Sequence, residues 1–396
     1  MKARTKKKLF VFLLVGLALL MILLLGAPRR AHAVTEEEAR EQVEQMIEEL
    51  LAALDTEELQ NYLDTLKDFR GINIKEKLMS VITGDYSLDY SSLFSSVISL
   101  VWDEAQVMLP AFAVILAVAL LCGALNSVKN SFMDSTMSDI INFIGYIMVG
   151  TVILACLIGV LQAGFDAITQ MKKQMEIVYP VLLTLMAASG GSVSVGIFRP
   201  AVAFMSGAIT NLFTAVVLPT SVAVIVLAFV GNLSSEVRTE RLGELFKSFN
   251  KWIVGLSLGL FSIFLTVQGI TSAQYDGLSL RAAKYVLSGS VPIVGGFLSG
   301  GLDLVIAGSA IIKNAFGSFA VFLLFGTLLR PLLLMVVFQL FLRLSAAATE
   351  PVGGKVSSFL SRLAGDCGYF LAGLLCIAFL YFLTLMLLIC STGVIY

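Results

Sequence analysis

Long apolar stretches separated by short polar connections fill the chain from residue 107 onward. Four of them contain no acidic or basic side chain, and they cover residues 107–125, 140–161, 252–271 and 369–389. Because about 20 apolar residues suffice to cross a bilayer as a helix, each of these stretches predicts a transmembrane helix. The pattern therefore predicts an all-α fold, a polytopic integral membrane helical bundle.

Two longer apolar tracts, residues 177–233 and 286–342, lie between the clear stretches. Each is 57 residues long, enough for three short crossings or for one crossing and a re-entrant hairpin. Basic residues concentrate in the connections 234–251 and 343–366, which the positive-inside tendency places in the cytoplasm. Each tract must then cross an odd number of times, so the total is six, eight or ten, and we favour eight.

The amino terminus has the layout of a secretory signal peptide. Five basic residues precede an apolar run at 9–25, and an Ala-x-Ala pattern ending at Ala33 would leave Val34 as the first mature residue. Residues 1–33 are therefore predicted to be a cleaved signal peptide, with an uncleaved anchor as the alternative. In both interpretations the segment that follows residue 33 is exported.

Residues 34–106 predict an acidic helical domain outside the cytoplasm. Thr35 with Glu38 and Asp55 with Glu58 have the spacing of helix-capping pairs, and apolar residues recur behind them at helical spacing. The segment holds 17 acidic and 5 basic residues, whereas residues 107–396, the predicted membrane domain, hold 11 and 15. The acids either solvate the outer face of a small bundle or dock an extracytoplasmic partner.

Composition restricts the possible chemistry. The chain is 58% apolar and 14% charged, against about 25% charge in ordinary soluble domains, which excludes a single soluble enzyme core. The only histidine is His32, and the five cysteines form no CxxC pair, so we expect no catalytic, metal or cofactor site. The Gly-Gly-Lys at residues 353–355 lacks the rest of a Walker A motif, and the acidic exported segment argues against nucleic acid.

Clustered glycines punctuate both tracts and are candidate helix breaks. Non-helical backbone at membrane depth is tolerated only where protein or a water-filled cavity covers it, so such breaks favour a pathway or binding site. The alternative is close helix packing through small residues. The candidate positions are Gly190, Gly191, Gly295, Gly296, Gly300 and Gly301.

Four charged residues within the tracts are candidates for a polar pathway through the membrane: Arg199, Asp303, Lys313 and Arg330. A charge at membrane depth is costly and by default suggests function. We expect Asp303 to pair with Lys313 or Arg330 in a polar cavity. The long basic side chains could instead reach an interface, which the short Asp303 cannot.

Several motifs together resemble the stage III sporulation protein AE family of endospore-forming bacteria. One is the exported signal followed by a polar helical domain of this size, and a second is Leu-Met-Ala-Ala-Ser-Gly-Gly at 185–191. The most specific part is a string within 267–316, which includes Val-Gln-Gly at 267–269, Asp-Gly-Leu-Ser-Leu-Arg-Ala-Ala-Lys at 276–284, Pro-Ile-Val-Gly at 292–295, Asp303 and Lys313-Asn314.

The resemblance implies a role in spore formation, and we expect the chain to have no enzymatic chemistry. The resemblance also implies a component of a secretion-like channel or feeding complex in the mother-cell membrane around the forespore, with residues 34–106 in the intermembrane space. The implied partners are a secretion-type ATPase, ring-forming extracytoplasmic proteins, small membrane proteins and a forespore protein. It assigns no individual residue. A stand-alone secondary transporter of a small solute and a purely structural scaffold remain as alternatives.

Overall fold

The computed structural model describes residues 45–52, 54, 56–66, 69–83, 90–132, 135–233, 239–290, 295–351 and 354–391. The predicted signal peptide 1–33, with Ala33 and Val34, and the capping pair at Thr35 lie outside these residues. Residues 47–396 form one compact unit. Within the described part the chain is all-α, and five of its helices are long and apolar enough to cross a membrane.

In the described part of the chain, the helical residues 45–52 and two short helices precede six long helical segments. The short ones are α1 (Glu57–Thr65) and α2 (Ile74–Thr83). The long continuous helices are α3 (Tyr90–Phe132), α4 (Ser135–Ala188), α8 (Glu240–Ser290), α9 (Gly295–Thr349) and α10 (Gly354–Cys390). Between α4 and α8 one helical rod is divided into α5 (Ser192–Ala203), π1 (Phe204–Ile209), α6 (Thr210–Leu212), π2 (Phe213–Val217) and α7 (Leu218–Leu233).

Aromatic contacts give the directions of the long helices. Tyr146 packs on Phe359 and Tyr179 on Tyr381, so α4 and α10 run parallel. Phe325 packs on Phe382 near the end of α10, and the Ser357 hydroxyl near its start donates to Ala346 O, so α9 runs antiparallel to it. Apolar surface gains little from leaving lipid, so such shape-matched packing holds a membrane bundle together.

Each long apolar tract contains one long helical rod, and the favoured count of eight crossings stays a prediction. The tract 177–233 consists of the end of α4, a turn at Gly190 and the rod from Ser192 to Leu233. The tract 286–342 contains the end of α8 and most of α9, which is helical through Gly300 and Gly301. Isolated glycines cost a helix only about 1 kcal/mol each, and packing against neighbouring helices outweighs that.

The break at Gly190 has a specific local cause. Gly190 has φ of +89°, the left-handed region that favours glycine. Its N–H donates to Ala187 O, and that of Gly191 donates to Met186 O, which are the paired bonds of a Schellman helix end. The sequence Ala-Ser-Gly-Gly therefore ends α4 and lets α5 begin at once.

The π segments place polar contacts between α7 and α8. A π-helix widens the turn and changes which carbonyls the helix itself satisfies. Val217 O, at the end of π2, accepts from the Ser221 hydroxyl at 2.7 Å and from the Asn250 amide at 3.4 Å. Asn250, only 3% exposed, also accepts from Thr220 and donates to Ser221, so it joins α8 to this bulge.

The long helices exceed the thickness of a bilayer. The apolar part of α4, Phe143–Ala188, has 46 residues and is therefore about 69 Å long, against a hydrocarbon layer of about 30 Å. Its polar middle, residues 162–176, includes Asp166, Lys172 and Lys173. Part of α4 must therefore extend beyond the hydrocarbon layer.

The N-terminal helices pack directly on the bundle. The boundary predicted at residue 106 falls inside α3, so the acidic segment and the membrane segment share a continuous helix. The inner faces of α1 and α2 bury Leu59, Tyr62, Leu63, Ile74 and Leu78. Between them, Phe69 packs edge-on against Phe322 and lies so close to Gly326 that a Cβ there would clash with its ring.

Replacing Phe69 with Ala should loosen α1 and α2 from the bundle. Phe69 is 6% exposed, and removing a buried phenyl ring typically costs about 3–5 kcal/mol. Limited proteolysis of the purified chain should show faster cleavage within residues 57–83. Phe379→Ala, at a half-exposed ring on α10, is the control and should leave that cleavage unchanged. Equal cleavage of both variants would contradict this docking.

Candidate functional site

A cavity of about 740 Å³ lies where α1 and the segment after it meet α3, α4 and α9. It lies near the first residue of one predicted span, Val107 of α3, and near the last residue of another, Leu161 of α4. Apolar side chains such as Phe69, Met108 and Leu334 form part of its wall. Its polar lining consists of Thr65, Glu104, Asp166, Gln170, Thr327 and Arg330. The combination of apolar walls and a few polar groups is typical of a binding site.

An ion pair between Glu104 and Arg330 forms one side of this cavity. Arg330 Nε donates to Glu104 Oε1 at 3.0 Å, joining α3 to α9 across 226 residues of sequence. The two partners differ in exposure, since the side chain of Glu104 is 11% exposed and that of Arg330 is 66% exposed. The carboxylate therefore depends on the guanidinium for neutralisation, whereas the guanidinium can also be solvated.

Tyr62 of α1 connects the cavity wall to α4. Its hydroxyl donates to Gln170 O at 3.2 Å. Burial raises the pKa of Tyr62 to about 12, although its hydrogen bond with Gln174 acts in the opposite direction. The phenol therefore remains protonated at physiological pH and stays a hydrogen-bond donor.

Of the four charged residues proposed for a membrane pathway, Arg330 lies in this cavity and its partner is Glu104. Asp303 and Lys313 belong to the same continuous helix, ten residues or about 15 Å apart, so they cannot pair directly. Asp303 and Arg330 are separated by about 40 Å on that helix. Helix α9 therefore separates Asp303 from both proposed partners along its axis. The side chain of Asp303 lies outside the described part.

Lys313 of α9 lies next to the C-terminal end of α10 and makes a structural contact there. It is fully buried, and its Nζ donates to Ile389 O at 2.8 Å in the last turn of α10. Carbonyls in the last turn of a helix have no partner within the helix, and the helix dipole favours a cation there. Lys313 therefore caps α10, while Arg199 is exposed on α5.

The candidate glycines fall into two groups. Gly190 forms the turn between α4 and α5, and Gly191 immediately precedes α5. Gly295 and Gly296 begin α9, and Gly300 and Gly301 lie inside it, where the helix is not broken. The Gly190 turn and the cavity at Glu104 and Arg330 are thus separate features.

A second polar cluster joins the two connections that were predicted to be cytoplasmic. Lys247 Nζ lies 2.8 Å from Asp366 Oδ1 and 3.0 Å from Glu244 Oε1, beside a cavity of about 370 Å³ between α7, α8 and α10. Partial burial of Lys247 disfavours its charge, but the two carboxylates more than offset this and raise its pKa. Lys247 therefore stays charged at physiological pH and links α8 to α10.

Comparison with known proteins identifies the family. The family model for stage III sporulation protein AE matches residues 72–392. The chain belongs to the stage III sporulation protein AE family. The stage III sporulation protein AE of Bacillus subtilis (strain 168) is 25% identical to it over 363 residues, which cover 90% of this chain and 91% of that protein. No solved structure matches it significantly.

The family match includes every residue of the cavity that belongs to α3, α4 and α9. Of the cavity's ion pair, the sequence pattern indicates Arg330 but not Glu104. The sequence does contain a signal for Glu104. Asp103 and Glu104 stand next to Trp102, and Glu104 lies three residues before a clear span. Gln170 and Tyr62 carry no charge, so a search for charges at membrane depth could not find them.

Substitutions of the two ion-pair partners should have unequal effects. Arg330→Met keeps the aliphatic stem but leaves the carboxylate of Glu104 buried without its partner, which should cost about 1–3 kcal/mol. Glu104→Gln leaves only a well-exposed guanidinium, so its cost should stay below about 1 kcal/mol. Thermal unfolding midpoints of the solubilised chain measure both.

Arg362→Met is the matched control for this comparison. Arg362 pairs with Glu240 at 2.7 Å, but both side chains are more than half exposed, so its loss should leave the midpoint nearly unchanged. Equal losses for Arg330→Met and Glu104→Gln would show that Glu104 does not depend on Arg330.

Proposed function

We propose that this chain is the membrane component of a channel or secretion-like complex between mother cell and forespore, required for spore development. It would form or gate a path through the mother-cell-derived membrane. Membership of a stage III sporulation family supports the developmental role. The observation that carries the gating role is the cavity that the N-terminal helices and the bundle form together, with the Glu104–Arg330 ion pair in its lining.

The position of α1 suggests how a partner could act on this cavity. The inner face of α1 packs on the bundle through Leu59, Tyr62 and Leu63, while its outer face exposes Glu58 and Asp64. A basic partner surface that bound these acids would displace the segment that holds Phe69 against Gly326. Docking would thereby change the width of the cavity.

In this proposal residues 34–106 lie in the space between the two membranes. The exported signal layout and the basic connections 234–251 and 343–366 support that orientation. The partners would be a secretion-type ATPase, small membrane proteins, ring-forming extracytoplasmic proteins and a forespore protein. We propose no enzymatic activity for the chain itself, which is consistent with His32 being its single histidine.

Charge reversal on α1 tests the docking step. In sporulating cells, the full chain carrying Glu58→Lys and Asp64→Lys should lose most of its crosslinked extracytoplasmic partners while accumulating normally, because both side chains are exposed. Crosslinking, affinity purification and mass spectrometry measure this. Glu350→Lys, an exposed acid after α9, is the control and should retain the partners. Unchanged partners in the α1 variant would contradict docking there.

The alternative function, a stand-alone transporter, predicts a different result. The purified chain alone would then move a labelled solute from a mixture of amino acids, sugars and phosphate into liposomes. We expect no uptake above that of empty liposomes, because in our proposal the path needs its partners. Uptake by the chain alone would favour the transporter.

A further inference from the structure

Neutral polar side chains are buried between α4 and α10, away from the ion pairs. Gln174 and Tyr381 are fully buried, and Tyr179 is 1% exposed. The rings of Tyr179 and Tyr381 meet edge to face with centroids 5.6 Å apart. Thr384, also on α10, is 1% exposed. The bundle core at this level is therefore polar without being charged.

Three atoms of this cluster have no hydrogen-bond partner among the described protein groups: Gln174 Oε1 and the hydroxyls of Tyr179 and Tyr381. The Gln174 amide Nε2 donates to Thr327 Oγ1 only at the long distance of 3.5 Å. A buried polar atom without a partner typically costs about 1–3 kcal/mol. Native proteins usually satisfy such atoms with an ordered water.

Gln174 and Tyr381 are linked to the cavity of the candidate site through Tyr62. Tyr62 is a neighbour of both residues, and its hydroxyl donates to Gln170 O in the cavity wall. Thr327, the partner of the Gln174 amide, also lines the cavity. A line of hydroxyl and amide groups therefore leads from the cavity into the bundle core.

We propose that Gln174 and Tyr381 hold buried water between α4 and α10, at the inner end of this polar line. A buried water needs two to four polar partners, and an amide oxygen, an amide NH₂ and phenol hydroxyls supply both donors and acceptors. These groups are neutral, which suits water better than an ion. The inference stands on this packing and does not depend on the proposed role in sporulation.

Hydroxyl-radical footprinting of the full chain tests the site, because radicals generated from bound water label side chains that bulk solvent does not reach. Tyr381 should be labelled several-fold faster than Phe213 and Phe316, aromatic residues that are equally buried. Tyr381 labelled no faster than these two controls would overturn the proposal.

The variant Gln174→Leu tests whether the glutamine belongs to the site. It fills a similar volume but removes both polar atoms, so labelling of Tyr381 should fall toward that of Phe213. Labelling of Tyr381 that stays at the wild-type rate in a folded variant would show that Gln174 does not hold the water. The wild-type comparison remains decisive if the variant does not fold.

Discussion

The carboxylate of Glu104 is the constraint on which the arrangement around the cavity depends. A carboxylate buried to this degree is tolerated only next to a cation, and Arg330 supplies it from α9. This contact fixes α3 beside α9, and the stacked rings of Phe112 and Phe341, 4.9 Å apart, continue the same parallel packing. Since α3 also carries the chain from the acidic segment into the bundle, the ion pair fixes where that segment enters.

Three charged contacts of the described bundle have different surroundings. The ion pair at the cavity leaves its arginine accessible, whereas Lys313 is used to cap α10 and Lys247 joins α8 to α10. Only the first of these lies beside a cavity shared by the N-terminal helices and the bundle. This is why we place the functional site there rather than at the more deeply buried Lys313.

The helical class, the membrane character and the family could be predicted from the sequence because apolar runs and local motifs carry them. Which glycines break a helix could not be predicted, because Gly300 and Gly301 are tolerated within a long packed helix, whereas Gly190 ends one through its left-handed backbone. The partner of each charged residue could not be predicted from the sequence either. Glu104 and Arg330 are 226 residues apart, and their contact follows from helix packing rather than from local spacing.

The central claim is that the Glu104–Arg330 pair at the shared cavity is required for function, and exchange of the two charges tests it most directly. Heat-resistant spores would be counted in a strain that depends on this chain. Glu104→Arg and Arg330→Glu, each alone, place like charges together and should lower the count at least several-fold, whereas the double exchange should recover most of it. Normal spore counts in both single variants, or no recovery in a double variant that accumulates normally, would contradict the account.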